Sequence, residues 1–192
     1  MPWEKTFDVE KAIENAMLLF WHQGYTDSSM AAILSATKLT KGSFYNAFGS
    51  KQNLFIQALK KYGQGRRERI QHLIEQDSPK QAIEDFFHGL VAETVQDHHK
   101  KGCFMINTLL NLESYEQEIQ RVVKTGIANS ETFFKQMIEL GQMRGEIATT
   151  LRADELACFF VGTMVSIRVL GRGFYDKTAL QLIANQALLR LQ

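Results

Sequence analysis

The chain has 192 residues, 45% hydrophobic and 22% charged, which is enough for one compact domain or a small domain joined to a larger one. A formal net charge of +1 excludes a protein held to nucleic acid by bulk charge, so any such contact must come from local clusters. Two cysteines, Cys103 and Cys158, are too few for a disulfide framework and are expected to be reduced.

No apolar run approaches the ~20 residues of a membrane helix. The opening "MPWEKTFDVEKAIENAM" has no apolar signal-peptide core, so a cytoplasmic location with no membrane contact is expected. Prolines occur only at Pro2 and Pro79. Apolar residues recur every three or four positions between them, which predicts an all-α fold.

In chain order, Ile13, Ala16, Met17 and Phe20 mark a first helix, with Asp8 as N-cap and Gly24 as stop. Ser28 or Ser29 caps a second, "MAAILSA". Thr40 caps a short third, "KGSFYNAF". Ser50 caps a fourth, with Leu54, Phe55, Ala58 and Leu59 on one stripe. The close spacing of the middle pair is a helix-turn-helix pattern. "YGQGRRERIQHLIEQ" either prolongs the fourth helix or stands apart, because two glycines interrupt it. Ser78 and Pro79 open the next, with Ile83, Phe86, Phe87, Leu90 and Val91 on its apolar face. The polar break "DHHKKG" precedes "CFMINTLLNL", and a long helix follows over about 116–140. The last two cover Glu155–Gly171, apolar nearly all round, and Lys177–Leu191. About nine helices are expected in total. A helix apolar on every side is hard to cover within so small a chain, which points to a homodimer through the last two helices, with burial inside the monomer as the alternative.

The charge is unevenly placed. Lys38, Lys41 and Lys51 lie in a stretch without acids, and Lys60, Lys61, Arg66, Arg67 and Arg69 are opposed there only by Glu68. Both runs read as an electrostatic footprint or, more simply, as solvated helix faces. On the third helix Thr40 and Ser43 offer hydroxyls and Lys41 a mobile charge. Gly42 leaves room for close backbone approach. Phe44 and Phe48, four apart, dock the helix on its domain. Tyr45 is suited to a phosphate and Asn46 to an adenine edge, while Lys51 opens the next helix within reach of phosphate.

The ordered series "GYTDSSMAAILSATKLTKGSFYNAFGSKQNLF" resembles the DNA-binding domain of the TetR family of transcriptional regulators. The likeness runs from about Val9 to Leu59. It implies that Ser29, Thr40, Lys41, Gly42, Tyr45 and Lys51 contact DNA, mostly its backbone. Two departures are "MAAI" in the second helix and Leu39 where valine is common. The resemblance further implies a helix-turn-helix domain over residues 1–55 and a helical effector-binding and dimerisation domain over residues 56–192. It implies a homodimeric regulator, most often a repressor and otherwise an activator, that binds a palindromic double-stranded operator and answers to a small-molecule effector, without a cofactor.

The second half reads less sharply. Phe86, Phe87, Phe104, Met105, Phe133, Phe134, Met137, Phe159, Phe160 and Met164 supply a soft aromatic interior, either core or cavity wall. Asn107, Thr108, Arg168 and Tyr175 are candidate polar anchors, and Arg168 interrupts an apolar helix. Cys103 follows His98, His99, Lys100, Lys101 and Gly102 at a predicted helix start, where positive surroundings favour thiolate. It is thus a candidate oxidant or electrophile sensor, or a small buried hydrophobe. This region is similar to the NemR-type subgroup of the family, in which the matching cysteine responds to reactive species. The candidate sensing set is Cys103, Phe104, Asn107, Phe133, Met137, Phe160, Met164 and Arg168. Adjacent histidines cannot easily converge with Cys103 on a metal. No phosphate loop, zinc-protease helix or nucleophile elbow is present, so no enzyme is expected. A helical interaction module without specific DNA binding is the more remote alternative.

Overall fold

The computed structural model describes residues 8–192; the first seven residues of the expected DNA-binding domain lie outside them. Four side-chain caps set the N-terminal helices, each worth about 1 kcal/mol. Asp8 accepts the Lys11 N–H at 3.0 Å and opens α1 (Val9–Gln23), which ends at Gly24 with φ +83°. Ser29 accepts the Ala32 N–H and opens α2 (Met30–Thr37). Ser28, the other candidate, instead donates back to the Gly24 carbonyl at 2.6 Å. Thr40 caps α3 (Lys41–Phe48) and Ser50 caps α4 (Lys51–Ile74).

Helix α4 runs unbroken through Gly63 and Gly65 for 24 residues, so the glycine-containing stretch prolongs it. The expected division between residues 55 and 56 falls inside this helix. Beyond it come α5 (Pro79–Gln96), capped by Ser78, and the short α6 (Phe104–Leu109). After a 3-10 turn at Leu112–Ser114, α7 (Gln117–Met143), α8 (Ala153–Leu170) and α9 (Lys177–Leu188) complete the chain. The nine α-helices, with no strand among the described residues, make an all-α fold. No helix among these residues is long and apolar enough to cross a membrane.

Two aromatic-rich regions organise the packing, one between the halves and one within the second. In the first, Phe20 of α1 meets Phe55 of α4 edge-on, with ring centroids 5.0 Å apart. Phe55 also stacks on Tyr115 at 5.9 Å and meets Phe104 at 5.5 Å. This joint docks the N-terminal helices onto the body, and the Trp21 indole adds a hydrogen bond to the Gly102 carbonyl at 3.2 Å. In the second, Phe87, Phe134 and Phe160 close the centre of α5, α7 and α8, with centroids 5.3–5.6 Å apart. Phe133 and Met137 are buried beside them. On the outer side α8 exposes Cys158, Phe159 and Gly162, and α9 with its following turn exposes Leu182 and Leu189.

Candidate nucleic-acid interface and interior cavity

An eight-residue helix such as α3 is too short to persist alone; its neighbours hold it. Phe44 and Phe48 are fully buried, and truncating either to alanine is expected to cost about 3–5 kcal/mol. The Asn53 amide of α4 donates to the Phe48 carbonyl at 2.9 Å, tying the end of α3 to the next helix. Thr40, Lys41, Gly42, Tyr45 and Asn46 then stand exposed on one side, with Ser29 exposed at the head of α2. Ser43 is half-buried, and its hydroxyl lies 2.9 Å from that of Thr40. Tyr45 is braced edge-on against Phe44 at 5.2 Å. Lys51 folds back over the Tyr25 ring, 4.7 Å from its centroid, and donates to the Thr26 carbonyl at 3.4 Å. Burial there lowers its pKa, partly offset by Asp27. Ala47 is also exposed, and so is Lys38, which the sequence places in the acid-free basic stretch but not among the individual DNA-contact candidates. Lys38 holds a left-handed conformation, φ +57°, in the turn between α2 and α3.

Three residues of the second basic run are engaged within the protein, while Lys60 and Arg67 stay exposed. Lys61 bonds Glu10 at 2.8 Å. Arg66 and Arg69 turn inward to Glu93 of α5. Tyr62, Arg66 and Arg69 share one face of α4 because they are spaced by four and three residues. Arg168 of α8 reaches the same carboxylate and also donates to the Thr94 hydroxyl at 3.2 Å. Three guanidiniums thus converge on one carboxylate.

This cluster borders a cavity of about 610 Å³ walled by α4, α5, α7, α8 and the start of α6. Ligand sites commonly span roughly 300–1,000 Å³. Leu59, Phe86, Leu90, Met105, Ile106 and Ile127 form its apolar side. A second cavity of about 620 Å³ lies beyond, and Tyr62, Arg66, Arg69, Glu93 and Arg168 line both.

Of the candidate sensing residues, Cys103, Met164 and Arg168 line the first cavity. Phe104 belongs to the joint with the N-terminal helices, while Phe133, Met137 and Phe160 lie in the core and line neither cavity. Asn107 secures its own loop, donating to the Lys101 carbonyl at 2.6 Å. The Thr108 hydroxyl donates to the Phe104 carbonyl, and Tyr175 sits exposed beside Phe174.

Cys103 occupies the N-cap position of α6 and is 8% exposed. Its nearest polar partner is not a lysine but the Tyr62 hydroxyl, which donates to Sγ at 3.3 Å. Arg66 donates in turn to the Tyr62 oxygen at 2.9 Å. Burial, and then the neighbouring thiol, raise the Tyr62 pKa, so the phenol stays protonated as a donor. Lys101 points away, 4.4 Å over the Trp21 ring. Cys158 is exposed on the outer face of α8 rather than shielded.

The family model for bacterial regulatory proteins of the tetR family matches residues 12–58, and that for the tetracyclin repressor-like C-terminal domain matches residues 79–187. The chain belongs to the TetR family. It is 31% identical over 170 residues to the HTH-type transcriptional repressor ComR of Escherichia coli K12, covering 85% of this chain and 81% of that protein. It is 24% identical to the HTH-type transcriptional repressor DhaR of Mycobacterium sp. GP1, over 82% of this chain and 80% of that one. A cysteine mutant of the TetR-family regulator CifR, complexed with a 26-base-pair double-stranded operator, superposes with a TM-score of 0.85 at 26% identity, both chains covered in full. Reduced E. coli NemR shares the fold, with a TM-score of 0.84 at 14% identity over 95% of this chain and 96% of that one. It is one of many such neighbours, and at that identity the likeness speaks for the fold alone. This TetR-family protein is therefore a DNA-binding regulator of transcription and not an enzyme.

Proposed function

We propose that this protein is a cytoplasmic, homodimeric repressor that leaves a palindromic operator when a small molecule or a reactive electrophile enters its interior cavity. One observation carries the reading: α4 serves both halves. Its first turns hold α3 and present Lys51, and its later turns supply Tyr62, Arg66 and Arg69 to the cavity wall. A ligand that prefers one position of α4 must, by linkage, lower affinity for a duplex that prefers another. The exposed faces of Ser29, Thr40, Lys41, Gly42, Tyr45 and Asn46 supply the DNA contacts, and Ser43 and Lys51 complete the set. The names of two relatives, both repressors, favour repression over activation. The outward apolar residues of α8 and α9 favour the dimer.

The electrophile version of the signal is favoured by the position of Cys103 on the cavity wall, hydrogen-bonded by Tyr62. The test is binding to a duplex carrying the palindrome upstream of the protein's own gene, followed by anisotropy at moderate salt. Chains with Cys158→Ser, with and without Cys103→Ser, are treated with N-ethylmaleimide; Cys158 is removed because its exposure would let it react as well. Release from the operator only when Cys103 is present is expected. Release that persists without Cys103 removes the thiol from the signal. Equal binding to palindromic and shuffled duplexes overturns the regulator reading as a whole.

A further inference from the structure

We propose that the arginine cluster at the junction of the two cavities is a subsite for the carboxylate of an amphipathic organic acid, whose apolar body lies in the first, apolar-walled cavity. The inference rests on the reading of that cavity as the effector site and names the class of effector.

Charge balance is the first support. Arg66, Arg69 and Arg168 face a single carboxylate, Glu93. Each guanidinium carries more donors than these contacts use. The other acids nearby, Asp97, Asp85 and Glu118, make no ion pair with these three guanidiniums. Asp97 accepts the Gly102 N–H at 2.7 Å, and Asp85 accepts from the Gln76 and Gln81 amides at 3.0 and 2.8 Å. Even with Asp97 close enough to act on Arg168, three guanidiniums outnumber the acids at the cluster, and the innermost of them, Arg168, is cut off from water. Burial, and then the charge of Arg66, lower the pKa of Arg168; burial followed by Arg66 and Arg168 does the same to Arg69. An incoming anion relieves that crowding.

Shape is the second. Arg168 is 5% exposed and arises from an apolar helix, where a cation has no place without an anionic partner. The planar fork of arginine matches a carboxylate, and Glu93 already shows that one fits among these three. Glu93 is 32% exposed, so it can swing toward the second cavity and yield its place. The adjoining wall of Leu90, Met105, Ile106 and Met164 offers an apolar body no polar partner, which selects an acid with a hydrocarbon or aryl tail over a small inorganic anion.

The probes are octanoate and octanol, alike in tail and different in head. Binding is measured by calorimetry, and operator release by anisotropy. Octanoate is expected to bind about tenfold or more tightly than octanol, with the difference shrinking as salt is added. Arg69→Gln, chosen because Arg69 is half exposed and tolerates change, should weaken octanoate binding several-fold and leave octanol unmoved. Glu93→Gln, which removes the competing carboxylate, should tighten octanoate. Equal binding of the two probes, with both releasing the operator, overturns the carboxylate subsite and leaves the cavity as effector site standing. The subsite is also overturned if Arg69→Gln weakens both probes equally. If neither probe binds nor releases DNA, the subsite and the cavity reading fall together.

Discussion

A Cβ placed on Gly42 meets no atom within 4 Å, and the residue sits in the first turn of α3 with ordinary helical backbone. Nothing inside the protein therefore requires glycine there. Gly42→Ala is expected to leave thermal stability unchanged or to raise it by up to about 1 kcal/mol, from helix propensity. Operator affinity should fall by about tenfold, the methyl group standing where a sugar-phosphate chain approaches. Chemical denaturation and anisotropy on one preparation separate the effects, and lost stability with intact affinity would return Gly42 to a structural role. Residues of this kind were legible in the sequence because their partners are close by. Asp8, Ser29, Thr40 and Ser50 each cap a helix within three residues. Arg66 and Arg69 were not: their partner, Glu93, lies far along the chain, and a basic run on a helix looks the same whether it faces solvent or an acid of another helix.

At the scale of elements, α4 decides most. Its two glycines made the sequence ambiguous, since each lowers helix propensity by about 1 kcal/mol. The helix continues because packing outweighs that cost: before the glycines Leu54, Phe55, Ala58, Leu59 and Tyr62 are all buried, and after them Ile70, Leu73 and Ile74 pack partly against the core. Gly65 again meets nothing within 4 Å. Gly65→Ala should add about 0.5–1 kcal/mol to the unfolding free energy in urea with an unchanged m-value. A loss would mean that the bare backbone is needed where it borders the second cavity. The aromatic content of α5, α7 and α8 shows the limit of pattern reading. Phe133 and Met137 on α7, and Phe160 and Met164 on α8, are four apart as cavity-lining residues would be, yet all but Met164 fill the core. Periodicity reports which face is apolar, not whether protein or an empty space lies opposite.

For the whole molecule, the outer face of α8 and α9 carries an apolar surface that a monomer leaves to water. Phe159 is 45% exposed there, with Leu182 and Leu189 nearby. Placing a charge at its centre with Phe159→Glu should yield a monomer by sedimentation while the helical content stays constant. Affinity for a two-site palindrome should drop by roughly 10²-fold, because the second reading head loses its effective concentration, whereas binding to one half-site should change little. A Phe159→Glu chain that stays dimeric would place the subunit contact elsewhere. The all-round apolar pattern of α8 points to such a face in the sequence, but the chain itself buries most of that helix and leaves Phe159 as its exposed large apolar residue.

The unbroken course of α4 also sets the size of the movement that a signal requires. With 24 residues at 1.5 Å rise, it is a rod of about 36 Å, and Lys51 lies about 22 Å from Arg66 along it. Pivoting at Arg66 by about 4° carries Lys51 through about 1.5 Å, more than the span over which a hydrogen bond retains good geometry. The lever is long enough that a tilt of that size at its inner end would disengage the outer end, with no helix melted and no hinge opened.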